Sequence, residues 1–214
     1  KHQYKLGFRL LTLGWSDGNS FLPIDSVLLA SQKEGNRLQE AKGLDKRTAG
    51  YKRRQLSLGG APAAAFEMVR SAQTVISNVS YVLFGSWFAT PSALVKLKGE
   101  LELDAIAMVK KNLGCLRYKG TRLSPKEIYG MNRKRRGCSK YLLSIEAEIV
   151  SQDETQTLPV QLIYVRKRGN RKDWLVLLTT DMTLHEEEVI RLYGKRWDIE
   201  VFFKTCKSYL RLTQ

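Results

Sequence analysis

Leu192-Tyr193-Gly194-Lys195-Arg196-Trp197-Asp198-Ile199-Glu200-Val201-Phe202-Phe203-Lys204 is the stretch on which the fold turns. Just upstream, Thr183-Leu184-His185-Glu186 has the spacing of a capping box, and Glu186-Glu187-Glu188 fills a first turn where carboxylates suit the helix dipole. One long helix is therefore predicted, running to the end of the chain. At ~100° per residue, Tyr193, Arg196, Glu200 and Lys207 fall inside an arc of roughly 60° and share one face. Trp197, Ile199, Val201, Phe202, Phe203 and Leu210 cover most of the remaining circumference, which predicts a largely buried helix. A carboxylate between two cations on such a helix has two uses. Arg196 and Glu200 stand four apart and can form an internal ion pair, the commoner outcome. Glu200 can also be a metal ligand beside phosphate-binding cations.

Working outward, Asp173 to Leu178 is a buried-looking strand. Residues 113–169 are strand-rich: Tyr141 to Val150 and Thr157 to Val165 predict a hairpin pair, and Ser124-Pro125-Lys126-Glu127 a short capped helix. Further upstream, Ser80 to Phe84 reads as a buried strand, Thr90-Pro91 opens a helix to about Lys98, and Asp104 to Val109 returns as a strand. Strand, helix and strand with short links predict a parallel pair and an α/β sheet. Near the start, Gly7 to Gly14 and Ser20 to Ser31 flank Trp15-Ser16-Asp17-Gly18-Asn19, a D-G hairpin signal. Gln32 to Gln55 reads as an exposed, charged segment, and Ala61-Pro62 opens a helix to about Ser77.

Composition narrows the function. A net charge of +15 over 214 residues favours a polyanionic partner, with nucleic acid first among them. No apolar run reaches the ~18 residues of a membrane span, so a soluble, non-membrane protein is expected. Cys115, Cys138 and Cys206 stand far apart, as free thiols do in a reducing cytoplasm. His2 and His185 are too few for a zinc site and give a Ser-His-Asp triad little to build on. The chain opens on Lys1 and its last residues still read as helix, so it is taken as a fragment.

The spacing Tyr193-x2-Arg196-x3-Glu200-x6-Lys207 resembles the signature of the insertion-sequence-four group of DDE transposases at every position. Leu178-Thr179-Thr180-Asp181, Tyr81-Val82-Leu83-Phe84 followed by Ser86-Trp87-Phe88-Ala89-Thr90-Pro91, Gly7-Phe8-Arg9 and Trp15-Ser16-Asp17-Gly18 are similar to that group as well. The resemblance implies a ribonuclease-H-like α/β core, residues 1–112 and 170–214, with the β-rich segment 113–169 inserted before the glutamate helix. It implies cleavage and strand transfer on double-stranded DNA at transposon ends, by dimers acting on paired ends. Two magnesium ions would be held by two aspartates and a glutamate. Glu200 would be that glutamate, and Tyr193, Arg196 and Lys207 would contact DNA phosphates.

The chain departs from the group at one decisive place. The second aspartate should directly follow the strand Tyr81 to Phe84, where this sequence has Gly85. The first should lie on a strand ahead of the opening hairpin, upstream of this chain. Asp17 at a turn tip, Asp25 within a hairpin strand and Asp104 at a strand start do not match either position. The expectation is an incomplete, inactive catalytic site, with a non-catalytic DNA-binding remnant as the rival reading. Lys52-Arg53-Arg54, Arg133-Lys134-Arg135-Arg136 and Arg166-Lys167-Arg168 with Arg171-Lys172 are candidate phosphate contacts, each also readable as a solvated loop. Trp15, Trp87, Trp174 and Trp197 are expected in the core.

Overall fold

The computed structural model describes residues 9–37, 43–137, 139–151, 154–167 and 169–210, with the backbone alone at 171 and 172. The chain forms two compact units that divide between Asn78 and Val79. His2, Gly7, Phe8, Cys138 and Arg168 lie outside the described residues, as do the side chains of Arg171 and Lys172.

In the first unit, β1 (Arg9–Ser16) and β2 (Phe21–Leu29) pair antiparallel, from Arg9 opposite Leu29 to Ser16 opposite Phe21. The tip is built by Asp17, whose Oδ1 accepts from the Asn19 and Ser20 amides at 2.8 and 2.7 Å, with Gly18 at φ +95°. That is the structural role a D-G turn assigns to its aspartate. Two helices follow, α1 (Ala49–Leu58) and α2 (Ala61–Gln73). Val27, Ala64 and Met68 form this unit's buried core. The segment Gln32 to Gln55 is thus not wholly irregular. Thr48 caps α1 by accepting from the Tyr51 amide, and beyond Gly50 no glycine or proline interrupts the run to Leu58, so an exposed stretch becomes an exposed helix.

The second unit carries a seven-stranded mixed sheet. Its strands are β3 (Tyr81–Phe84), β4 (Asp104–Val109), β5 (Leu116–Tyr118), β6 (Thr121–Leu123), β7 (Leu143–Val150), β8 (Thr157–Lys167) and β9 (Asn170–Thr179). Their spatial order is β3-β4-β9-β8-β7-β5-β6. β3 and β4 pair parallel, as the strand-helix-strand reading requires, across the crossover helix α3 (Pro91–Leu101). β7 and β8 form the expected hairpin, and β8 pairs in turn with β9. The β-rich segment therefore extends the same sheet. Between β6 and β7, α4 (Pro125–Met131) starts with the expected capping box: Ser124 Oγ accepts from the Glu127 amide, and Glu127 Oε2 accepts from the Ser124 amide at 2.7 Å. β3 is half-buried rather than buried, because it is the edge strand.

The C-terminal helix departs most from expectation. It is two helices, α5 (Glu186–Gly194) and α6 (Trp197–Tyr209). At the joint the amides of Lys195, Arg196 and Asp198 bond three residues back rather than four, at 3.0, 3.1 and 3.1 Å. Gly194, a poor helix former, sits at that break. No capping box forms at Thr183, because Asp181 Oδ1 already accepts from its amide and hydroxyl at 2.9 and 2.6 Å; His185 is the N-cap, without a side-chain bond. α5 packs on β4 and β9, with Val189 buried against Ile106, Ile163 and Leu177. α6, by contrast, holds no buried residue, and Trp197 is 61% exposed, so the helix is not the largely buried one expected. Among the described residues, no helix is long and apolar enough to cross a membrane.

Candidate functional site

The parallel pair β3/β4 sets the geometry. Phe84 lies opposite Ala107, so Gly85 and Met108 stand one step further on, at the same end of the sheet. Met108 and Tyr193 pack against the same core cluster. Burial pushes the Tyr193 hydroxyl up, while the Arg196 charge and the Met108 backbone oppose that shift. Arg196 sits in the α5/α6 joint with its guanidinium 5.5 Å from the Tyr193 ring centroid, and its Nη2 donates to Glu200 Oε1 at 2.5 Å. Burial works against the Arg196 charge, and the Glu200 and Tyr193 interactions outweigh it, leaving its pKa raised. Tyr193 Oη and Arg196 Nε are buried without a hydrogen-bond partner among the described residues. Tyr193, Arg196 and Glu200 thus come together, while Lys207 lies further along α6 and is exposed.

The ion-pair alternative for Glu200 is the one observed. Glu200 faces a cation, and no group of three His, Cys, Asp or Glu among the described residues could hold a metal ion. Gly85 supplies no side chain, and a Cβ built there would meet nothing within 4 Å. Asp25 is held by Arg53, and Asp104 by Lys98 and Thr180, each at 2.7 Å. Among the described residues, no carboxylate cluster therefore presents a ligand set for a pair of divalent cations.

The family described as "Transposase DDE domain" matches residues 63–214. The chain belongs to that family. A comparison with curated proteins returns no match. DDE domains generally use divalent metal and act on DNA in transposition; in this one Glu200 is paired to Arg196. The basic clusters of the domain divide by partner. Lys167 is 3.4 Å from Asp173, Lys134 lies over the Tyr129 ring at 4.5 Å, and Arg135 lies over the Tyr141 ring at 4.5 Å. Outside the matched stretch, Arg53 is committed to Asp25.

The tryptophans of the DDE domain are not uniformly core. Trp174 is half-buried and stacked on Tyr129, with ring centroids 4.5 Å apart and Lys111 above it at 4.4 Å. Lys111 also pairs with Asp173 at 2.5 Å and, with the Trp174 amide, draws that carboxyl down to about 2. Trp87 and Trp197 are exposed, which corrects their placement in the core. The sequence did carry a signal for Trp87. It lies between a strand end at Phe84 and a helix cap at Thr90, where a turn leaves little chance of burial.

Proposed function

We propose that the chain is a catalytically incomplete transposase domain of the insertion-sequence-four type, which binds double-stranded DNA at transposon ends without cutting it. The proposed architecture is a ribonuclease-H-like core over residues 1–112 and 170–214, interrupted by the β-rich insertion 113–169. One observation carries the proposal. Gly85 lies at the sheet end beside Met108, Tyr193 packs with Met108, and Arg196 joins Tyr193 to Glu200. That convergence supports the site assignment: Tyr193, Arg196 and Lys207 bind phosphate, Glu200 is the remaining carboxylate, and Gly85 stands where a second one would be needed.

What these residues do follows from their chemistry. The Arg196 side chain is 26% exposed, and a phosphate oxygen at that face would accept from its guanidinium as Glu200 Oε1 does. Arg196 presents a planar fork suited to such an oxyanion, with Glu200 holding one nitrogen in place. In this family the cleaving step uses divalent metal, normally magnesium. Arg196 and Glu200 neutralise one another, and Lys207 adds a positive charge further along α6, so the helix suits a polyanion rather than a cation pair. The test is a titration of mixed-sequence duplex DNA at several salt concentrations, with a magnesium-dependent nicking assay alongside. Binding that falls steeply with salt and no nicking are expected. Nicking by the chain, abolished by Glu200→Gln, would overturn the incompleteness. Absence of binding at low salt would overturn the DNA reading.

A further inference from the structure

Trp87 is 81% exposed although it sits on an ordered turn. The Phe88 amide donates to the Gly85 carbonyl at 3.1 Å, the Thr90 amide donates to the Phe88 carbonyl at 2.8 Å, Ala89 is buried, and Thr90 caps α3. The backbone thus holds the indole out from the protein, two residues past Gly85. Lys110 answers it from just past the end of the neighbouring strand β4. Phe84 and Ala107 are the last registered pair of β3 and β4, and Trp87 and Lys110 each lie three residues beyond them. The Lys110 ammonium stands 5.5 Å from the Trp87 ring centroid, is exposed, and has no carboxylate partner among the described residues. Lys111, next in the chain, is already committed to Asp173 and Trp174.

We propose that Trp87 and Lys110 form a stacking platform for an unpaired base of the bound DNA, the indole taking the base face and the ammonium the flanking phosphate. This rests on the DNA reading above and adds a substrate feature to it: DNA that is locally single-stranded at this end of the sheet. A base within a duplex already stacks on both sides and offers no free face, so an exposed ring beside a free cation selects unpaired nucleotides. A ring and an ammonium just past the ends of two adjacent parallel strands match the alternation of base and phosphate along a single strand. Most of the ring remains accessible with Lys110 in place.

The experiment uses the whole chain and three fluorescent probes: a blunt mixed-sequence duplex, the same duplex with four unpaired thymidines, and the same duplex with four abasic nucleotides. The two tailed probes carry equal charge and differ only in bases. The thymidine tail should bind about ten-fold tighter than the abasic tail, in the range of one stacked base. Trp87→Ala should erase that difference and leave blunt-duplex binding unchanged. Trp87→Phe should keep most of it, and Lys110→Ala should weaken both tailed probes alike. Trp87→Leu, closer in size, covers the case in which alanine disturbs the turn. Equal binding of the two tails by the wild-type chain, or a preference that survives Trp87→Ala and Trp87→Leu, overturns the platform while leaving duplex binding intact. Failure to bind any probe defeats the DNA reading itself. Self-association without DNA that Trp87→Ala abolishes would assign the ring to a protein contact and overturn the proposal.

Discussion

Replacing Glu200 by glutamine should weaken the fold and strengthen DNA binding, two effects of opposite sign from one substitution. Arg196 and Glu200 are 26% and 39% exposed and 2.5 Å apart. Fully exposed pairs contribute roughly 0.2–1 kcal/mol, whereas breaking a fully buried pair costs about 3–5 kcal/mol. This pair lies nearer the exposed limit, so about 1 kcal/mol is the working value. Glutamine keeps the volume and removes the charge, which should lower the melting temperature by about 3 °C for a unit of this size. Any phosphate that recruits Arg196 must compete with Glu200, so the same ~1 kcal/mol is subtracted from wild-type DNA affinity. Glu200→Gln should recover it as a gain of about five-fold in duplex affinity at low salt. The cycle closes with Arg196→Ala: the double variant should bind like Arg196→Ala alone, because the gain acts through Arg196. Fluorescence anisotropy on a mixed-sequence duplex, with thermal unfolding in the same buffer, measures both effects. A variant that is less stable and also binds DNA less well would refute the reasoning, since that is what general loosening of α6 would do.

Gly85→Asp should fold normally, with stability within about 0.5 kcal/mol of wild type, because its Cβ meets nothing within 4 Å. By calorimetry it should bind manganese or magnesium more tightly than wild type, yet remain inactive in nicking, as two carboxylates still fall short of a full ligand set. Tyr164→Phe removes a buried hydroxyl that donates to the Pro125 carbonyl at 3.0 Å. Losing that bond should cost about 1 kcal/mol, read from the urea midpoint. Asp181 is opposed by burial, but its bonds from Thr183 and Tyr81 outweigh that and hold its carboxyl below the usual carboxylate range. A depressed folded value means the contribution is complete above the unfolded pKa near ~3.9 and is lost as pH falls through the lower folded value. Asp181→Asn should therefore be less stable than wild type at pH 6, with the gap closing as the pH is taken below 4.

Elements whose residues speak for themselves were legible in the sequence. Asp104 to Val109 is a strand between those same residues, and short links around α3 were enough to predict a parallel partner. Ser124 and Glu127 announced their cap in four residues. What could not be read was set by distant partners. The β7/β8 hairpin is local, but the pairing of β4 with β9 depends on Ile106 meeting Thr179 and Val109 meeting Val176, a register no local pattern encodes. The helix failed differently. Counting 100° per residue from Tyr193 to Lys207 assumes one continuous helix, and the three short amide bonds at Lys195, Arg196 and Asp198 break that assumption. Gly194 was the available warning. Apolar residues around α6 suggested burial, but composition cannot say whether a neighbour is there to cover them, and Trp197 and Val201 are exposed.

At the site, the residue types were legible and their allegiance was not. The spacing of Arg196 and Glu200 permitted an ion pair or a metal ligand beside cations, and nothing local separates the two. Charge balance does. A carboxylate can turn toward a cation pair only when other anions share the repulsion between the ions and something else neutralises the nearby guanidinium. Here Gly85 contributes no charge, Asp104 is taken by Lys98, and Glu200 is the anion closest to Arg196. Pairing is then the favourable arrangement for both.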